Sequence, residues 1–308
     1  MSRALLLLSP FSLGCSAALE AAAHQPLGDE AVVAAFPPDG AAHLLGNIPV
    51  LVALGGAAVD ETPTVRARVG DGDERTLPCN LGFDGTWADC GVLSDVEGDD
   101  AVDVEVSVAG IVHRSTSRAE LPEADVGWDI LARSRVDRFG GSAAAADQLD
   151  GALDASQLFL VLDGYRGQPG DYPAFIAPAH DADDGIGLLE PGFSIALSGT
   201  VGDEGGLVAR ADTAWLPLSV EGEPFPFLML DPTIRAEIDG DRLTSLTLSA
   251  DIPAVAIATL ADRLGPQGAA FEQLAVMDAD HDGDGQAECL RLELHAEPEA
   301  DVLDAWTR

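Results

Sequence analysis

Apolar and polar residues alternate with a period of two along several short stretches in the first third of the chain. The alternation is clearest in "TVRARV" (64–69) and "VDVEVSV" (102–108), and it is typical of strands with one buried and one solvent-facing side. Turn-forming residues separate these stretches, as in Pro-Pro-Asp-Gly at 37–40. Short strands at this spacing predict a two-sheet β-sandwich over residues 31–118.

The remainder of the chain, 119–308, also consists mostly of strand-like runs between turns, and the pattern predicts a second, β-rich domain. A long loop is predicted at 166–192, and Asp239-Gly240-Asp241 fits a hairpin turn between two strands. Helical character occurs in three short stretches, at 142–157, 253–265 and 267–278. The predicted fold class is therefore mainly β, with a β-sandwich followed by a β-rich domain that contains two or three short helices.

The stretch "FPPDGAAHLLGNIPVLVALGG" resembles the opening of bacterial Ig-like domains of the S-layer type. Those domains begin with a Pro-x-Asp-Gly-Ala turn, an Asn-x-Pro and a hydrophobic strand. The resemblance implies an Ig-like sandwich at 31–118, a spacer or adhesion module without a catalytic site of its own. The matching residues here are Pro38, Asp39, Gly40, Ala41, Asn47, Pro49 and Val50.

The charge balance excludes one class of partner. The 308 residues carry 53 acidic and 16 basic side chains, a formal net charge of −37. Such a surface repels phosphate backbones and anionic lipid headgroups, so we expect no nucleic-acid partner. Hydrophobic residues make up 47% of the chain, which is enough to build a buried core.

The N-terminus has the features of an export signal over residues 1–14, because one Arg precedes an apolar stretch too short to span a bilayer. The stretch ends in Gly14-Cys15-Ser16, which resembles the signal of bacterial lipoproteins and implies a lipid on Cys15. Ser12 stands where such signals usually have Leu, and ordinary cleavage is the alternative. Residues 15–30 are predicted to form a tether to the membrane, with enough Ala for a turn or two of helix.

Export implies an oxidising compartment, so the remaining cysteines are interpreted as disulfide candidates. Cys79 and Cys90 flank a turn-rich segment of ten residues, "NLGFDGTWAD", and are predicted to form a disulfide. Cys289 then has no partner within the chain. It is either buried, paired between two chains, or free.

One segment near the C-terminus has the residues of a metal site, because carboxylates alternate with other residues in a turn that contains glycines. Oxygen ligands at this density suit Ca²⁺, and thiolate or imidazole ligands at the spacing of a zinc site are missing. The segment 278–288 fails as an EF-hand, since position twelve is Cys289, but it resembles the D-x-D-x-D-G-x-x-D loops of integrin-type and thrombospondin-type repeats. That resemblance implies side-chain ligands from Asp280, Asp282, Asp284 and Glu288, a backbone carbonyl ligand from Gln286, and Asp278 as a reserve ligand or second-sphere carboxylate.

A solvated acidic turn is the alternative interpretation of this segment. Catalytic patterns are absent from the sequence: there is no G-x-S-x-G, no H-E-x-x-H, no phosphate loop and no dinucleotide fingerprint. With 53 carboxylates, no pair can be singled out for glycoside chemistry.

These patterns favour a non-enzymatic, calcium-stabilised lipoprotein at the cell surface that serves adhesion, binding or envelope structure. Its expected partners are the membrane, through the lipid, and a surface protein or glycan. The chain also resembles uncharacterised exported lipoproteins of bacteria, a resemblance that implies no activity. A carrier of a hydrophobic ligand is the first alternative, and a hydrolase with an acidic site is the second. In the carrier, a cavity would be lined by Phe193, Trp215, Phe225, Phe227 and Leu228.

Overall fold

The structure is a computed structural model, and it describes most of residues 12–307. The internal residues that it leaves out are 43, 45, 98–99, 119–125, 130–133, 154–157, 183–184, 189–192, 221–222, 241, 266–267, 269–271, 273, 298–299 and 303–305. As the alternation predicts, the fold is mainly β, with three helices and several antiparallel sheets. No helix within the described ranges is long and apolar enough to cross a membrane.

The N-terminal part consists of one helix followed by eight strands that form two facing sheets. The strand order is β1-β2-β6-β5 in one sheet and β4-β3-β7-β8 in the other. The elements are α1 (Ser12–Ala23), β1 (Val32–Phe36), β2 (Gly46–Leu54), β3 (Thr64–Val69), β4 (Arg75–Leu77), β5 (Asn80–Gly82), β6 (Trp87–Val96), β7 (Ala101–Val108) and β8 (Ile111–Arg118).

The Pro-Pro-Asp-Gly turn protects the free edge of strand β8. The Thr116 N–H donates to Asp39 Oδ1 at 2.9 Å, and the Gly40 N–H donates to the Thr116 carbonyl at 3.0 Å. Gly40 has φ +72°, a conformation that favours glycine. An unprotected edge strand invites pairing with another chain, so this turn has a structural role of its own in the sandwich.

Cys79 and Cys90 form the predicted disulfide, which joins the segment between β4 and β5 to the middle of β6. The Cys90 side chain is fully buried. In the chain-entropy description, closing a loop of this length stabilises the fold by about 3 kcal/mol through the unfolded state. Cys289 is a free, buried thiol, and burial raises its pKa.

The C-terminal part is built around one large antiparallel sheet. In the described residues its strand order is β10-β19-β18-β17-β15-β14-β12-β11-β9-β20. Strand β16 pairs with β17, and β13 pairs with β12 and with β21. The elements are β9 (Val126–Asp129), β10 (Arg135–Phe139), α2 (Ala143–Leu153), β11 (Leu158–Leu162), β12 (Gly170–Ala182), β13 (Gly185–Leu188), β14 (Ile195–Val201), β15 (Gly206–Arg210), β16 (Thr213–Val220), β17 (Glu223–Asp239), β18 (Arg242–Pro253), α3 (Ala254–Leu264), β19 (Cys289–Ala296), β20 (Ala300–Val302) and β21 (Trp306–Thr307).

Two local predictions in this part are wrong. The segment 166–192 is not a long loop, since it contains the thirteen-residue strand β12, which pairs with β11 and β14. Its prolines and glycines indicate a loop locally, but pairing on both sides overrides that preference. The helix predicted at 267–278 is wrong over residues 274–278, which are not helical, while residues 267, 269–271 and 273 lie outside the described ones.

Residues 15–30 differ from the expected tether. Helix α1 extends to Ala23, and Leu19, Ala22 and Ala23 are buried in the hydrophobic core. The helix packs against α3, and the Thr86 hydroxyl donates to the Ala23 carbonyl at 3.0 Å. Burying the apolar side of this Ala- and Leu-rich stretch is favourable in free energy, whereas an extended spacer would leave the same side chains in water. The side chain of Cys15 lies outside the described residues.

The sandwich and the C-terminal sheet share one hydrophobic core. Trp215 on β16 lies at the junction, where its indole N–H donates to the Ala35 carbonyl of β1 at 3.1 Å. Its ring lies 5.6 Å from that of Phe36 and 5.7 Å from that of Trp87. Phe193 stacks edge-on against Phe36 at 4.6 Å. The boundary expected near 118–126 therefore separates two sheet systems that are packed together, with residues 119–125 outside the described ones.

Replacing Trp215 by Phe tests this junction. The change removes a buried hydrogen bond as well as some ring volume, whereas Trp87→Phe removes only volume, because Trp87 makes no side-chain hydrogen bond among the described residues. We expect Trp215→Phe to lower the free energy of unfolding by about 1 kcal/mol more than Trp87→Phe does, measured by urea denaturation. Equal losses in the two variants would contradict a contribution from the bond to Ala35.

Candidate metal centre

The acidic segment forms a closed loop between the core and strand β19. Ala279 and Cys289 bridge its base with two backbone hydrogen bonds, each at 3.1 Å. The Ala254 N–H at the start of helix α3 donates to the Glu288 carbonyl at 2.9 Å. The base is thus fixed by the neighbouring strand and helix, so that residues 280–288 must turn back on themselves within a short distance.

The four carboxylates predicted as ligands converge inside this loop. Each of them offers an oxygen, and these oxygens lie within 4.8 Å of one another. Asp280, Asp282 and Asp284 are exposed, whereas the Glu288 side chain reaches in from the buried base and is 2% exposed. The arrangement can hold a metal ion with an oxygen-rich shell.

Hydrogen bonds within the loop orient the carboxylates. Asp280 accepts from the N–H groups of Gly283 at 2.7 Å and Gly285 at 2.9 Å. Asp284 Oδ1 accepts from the Gln286 N–H at 2.7 Å, and its other oxygen accepts from the Gln286 side-chain amide at 3.0 Å. Gly283 and Gly285 have φ values of +80° and +92°, and a residue with a Cβ is strained in this conformation.

Burial disfavours the ionised form of the Glu288 carboxylate. Desolvation raises the pKa of Glu288, and the negative charges of Asp282 and Asp280 raise it further, while backbone N–H donors such as that of His281 oppose the rise. The residues of this cluster have no cation among them. A divalent cation in the loop would stabilise the ionised form of Glu288 and cancel the repulsion from its neighbours.

His281 points away from the cluster towards a second set of acidic residues. Its Nδ1 lies 3.5 Å from Asp251 Oδ2 and 3.7 Å from Asp231 Oδ2, and the bond with Asp251 raises the pKa of His281. Asp251 is itself buried and ion-paired with Arg291 at 2.8 Å. The imidazole therefore attaches the loop to strands β17 and β18.

Asp278 lies outside the four-carboxylate cluster, and its hydrogen bonds hold the start of the loop in place. Its carboxylate accepts from the Arg138 Nε at 3.0 Å and from the Arg291 N–H at 2.9 Å. The two bonds connect the start of the loop to strands β10 and β19. Asp278 is not among the four residues whose carboxylate oxygens converge, and whether it has a role towards a metal stays a prediction.

Gln286 lies in the loop and makes a contact across the molecule. Its side-chain carbonyl accepts from Gln25 Nε2, just beyond helix α1, at 3.2 Å. Whether its backbone carbonyl is a ligand stays a prediction. Four residues that surround the loop were not predicted from the sequence, because the tertiary fold brings each of them there from a distant position or from one without a motif. They are Gln25, Arg138, Asp251 and Arg291.

The residues expected to line a carrier cavity are part of the hydrophobic packing. Phe193, Trp215, Phe227 and Leu228 are buried in the shared core, and Phe225 packs against its edge. Trp215 and Leu228 are cross-strand partners in the β16–β17 pair. Phe227 and Phe225 pair with Leu216 and Leu218, and therefore lie on the opposite side of the β16–β17 pair from Trp215 and Leu228.

Comparison with known proteins adds no family. No protein-family model and no curated protein matches the chain. Among solved structures, it is similar to an uncharacterised protein of Listeria monocytogenes EGD-e, in complex with glucose, magnesium and calcium (12% identity, TM-score 0.18), and to the cycloalternan-forming enzyme of L. monocytogenes (11%, TM-score 0.18). Each match covers 75% of this chain and 22% of the other. The chain thus spans about a fifth of the length of those structures, and the TM-scores carry no argument about fold or function.

Removing the Asp278 carboxylate should weaken the fold without removing any of the four converging carboxylates. Asp278→Ala leaves Arg138 and the Arg291 N–H without an acceptor, so we expect the free energy of unfolding in chelator to fall by about 1–3 kcal/mol. Urea denaturation measures the loss. Asp147→Ala, on the exposed side of helix α2, is the matched control and should cost little. Equal effects of the two substitutions would contradict a supporting role for Asp278.

Proposed function

We propose that this chain is an exported, non-enzymatic protein of the cell surface that carries a lipid on Cys15 and is stabilised by one Ca²⁺ ion. Its role is adhesion, binding or envelope structure. The observation that carries the proposal is the convergence of four carboxylates from one nine-residue loop to within 4.8 Å of one another. The charge-based expectation of no nucleic-acid partner is part of the same proposal.

Calcium is the ion that the ligand chemistry favours. The cluster offers oxygen only, and Ca²⁺ takes six to eight oxygens in a flexible shell, whereas Mg²⁺ demands a stricter octahedron and keeps several waters. Zinc prefers thiolate and imidazole, and the nearest imidazole, His281, is directed to Asp251. Mostly exposed ligands favour a dissociation constant of about 10⁻⁴–10⁻³ M, as in other extracellular modules.

The position of the loop favours a structural role for the ion. The loop joins strand β19, the start of helix α3 and, through Gln286 and Gln25, the end of helix α1. A bound cation would fix these elements relative to one another. Reaction chemistry, in contrast, needs an accessible site beside the ion with a base or nucleophile, and His281 is already held by two carboxylates.

Two features favour an Ig-like module that presents the protein at a surface. The strand order of the sandwich is that of immunoglobulin-type domains, and the turn at Asp39 and Gly40 protects its last edge. Fold alone gives no activity, so this module is proposed as a spacer or recognition unit.

Export is supported by the apolar N-terminal stretch and by a disulfide that needs an oxidising compartment. With the lipid on Cys15, only three residues separate the anchor from buried Leu19. The fold would then lie directly against the membrane, since no long spacer remains between the two.

Calcium should raise the stability of the mature protein, because it binds the native loop and not the unfolded chain. At a free concentration one hundred times the dissociation constant, we expect a gain of about 2.7 kcal/mol in the free energy of unfolding over the sample in chelator. Thermal and urea unfolding with and without Ca²⁺ measure it. Asp282→Ala and Asp284→Ala should each lose most of the response.

The matched control is Asp203→Ala, which removes an exposed carboxylate from the turn after strand β14 and should keep the full calcium response. Equal stability of the wild type with calcium and with chelator would refute the calcium site. So would an unchanged response in Asp282→Ala. Mg²⁺ at the same concentration should give a smaller gain.

Lipid attachment is tested separately in a bacterial host that exports the full-length chain. Mass spectrometry of the mature N-terminal peptide should show acyl mass on Cys15, and the wild type should partition into the detergent phase. Cys15→Ser should become soluble, whereas Cys289→Ala, which changes the other unpaired cysteine, should still partition with the membrane. A soluble wild type with unmodified Cys15 would rule out the anchor.

A further inference from the structure

The outer side of the β4-β3-β7-β8 sheet carries a regular pattern of hydrogen-bond donors and acceptors. Along one rung, Arg66 lies opposite Glu105, which in turn lies opposite Arg114. Along the next, Arg68 lies opposite Asp103, and Asp103 lies opposite Thr116. Side chains directly opposite one another in antiparallel strands point to the same side of the sheet, so these residues form one continuous surface.

Most side chains of this surface are held in place by their neighbours. Arg68 Nε donates to Asp103 at 3.2 Å, and Arg114 Nε donates to Glu105 at 2.9 Å. The Thr116 hydroxyl donates to the other Asp103 oxygen at 2.9 Å. These bonds leave further N–H groups and carboxylate lone pairs directed to solvent, because a guanidinium has five N–H donors and a carboxylate about four acceptor sites.

Arg66, near the centre of the sheet, is different. Its guanidinium makes no hydrogen bond with any described residue, and the nearest carboxylate oxygen, Glu74 Oε1, lies 4.0 Å from its Nε. The side chain is 53% exposed. Among the described residues its planar fork of donors pairs only with Glu74, at 4.0 Å, and the bonded side chains around it are already oriented, so that a ligand has few of them left to immobilise.

A groove of about 220 Å³ runs between these side chains. This is below the roughly 300–1,000 Å³ of pockets that enclose drug-sized molecules, and suits one unit of a longer ligand. We name it the arginine groove, and its polar lining consists of Arg66, Arg68, Arg114, Glu74, Asp103, Glu105 and Thr116, with Ser115 and the strand backbone beneath.

The charge of the groove limits the class of ligand. Three arginines balance three carboxylates, a net charge of 3 − 3 = 0 on a chain whose total is −37. A polyanion would be repelled by the rest of the surface, and a cation would bind more strongly at the many acidic patches elsewhere. A neutral ligand is opposed by neither effect, and it must be recognised through hydrogen bonds alone.

We propose that the arginine groove binds a neutral saccharide. Sugar hydroxyls both donate and accept, so adjacent hydroxyls match a lining in which guanidinium donors alternate with carboxylate acceptors. Arg66 supplies the unpaired donors, and Asp103 and Glu105 accept through their free lone pairs. This goes beyond the calcium proposal, because the groove shares no residue with the loop 278–288.

The test is saturation-transfer difference NMR on the mature protein with maltotriose, cellotriose and triacetylchitotriose at millimolar concentration. At least one of these should give a saturable signal. Arg66→Ala should weaken its binding by about tenfold, and Arg66→Lys should also weaken it, because a single ammonium cannot replace the planar fork. Arg235→Ala, an exposed arginine on strand β17, is the matched control and should bind as the wild type does.

Three results would overturn the proposal: no signal from any of the three probes, equal binding by wild type and Arg66→Ala, or binding of trigalacturonate in place of the neutral sugars. Repeating the titration with Asp282→Ala and in chelator separates the two proposals. Unchanged sugar binding there supports a site independent of the loop, and loss of binding in both conditions contradicts it.

Discussion

Mutual repulsion among the carboxylates at 280, 282, 284 and 288 is the constraint on which the chemistry of this protein depends. Two unit charges 4 Å apart repel by about 1 kcal/mol in water and about 4 kcal/mol near a protein surface. The fold holds these oxygens within 4.8 Å all the same, by closing the base of the loop with the Ala279–Cys289 bridge and turning it at two glycines. Strands and helices thus hold like charges together, and a divalent cation bound there would turn that unfavourable arrangement into a stabilising one.

Local patterns in the sequence predict the elements whose environment is local. The alternation in 64–69 and 102–108 predicts strands β3 and β7, and the start and stop residues around 254–264 predict helix α3. The spacing of carboxylates and glycines predicts a loop in which four acidic side chains meet, since all of its parts lie within eleven residues. The disulfide is predictable for the same reason, because both cysteines flank one short turn.

Elements that depend on distant partners are not predictable in this way. Strand β12 contains the prolines and glycines of a loop and is held extended by its two neighbours in the sheet. The Ala content of 15–30 predicts a turn or two of helix, but the burial of α1 depends on the core that it enters, and Trp215 reaches Ala35 across 180 residues of sequence. Arg138 and Arg291, which support the acidic loop through Asp278, belong to no motif. Their role follows from pairing among β10, β19 and β18.

The same topology also determines where on the surface the negative charge of the chain is neutralised. Carboxylates on loops remain in water, but on the outer side of the β4-β3-β7-β8 sheet they lie directly opposite arginines, which neutralise them one by one. Oppositely charged cross-strand partners stabilise a sheet modestly, by about 0.2–1 kcal/mol each. This small gain does not by itself explain why several of the few arginines in the chain lie on this sheet. Arg66 in particular makes no hydrogen bond with any other residue that the structure describes, and its ion pair with Glu74 is at 4.0 Å. Arg66 therefore adds little to the stability of the sheet, and its N–H donors have their largest effect on a molecule that binds to this surface.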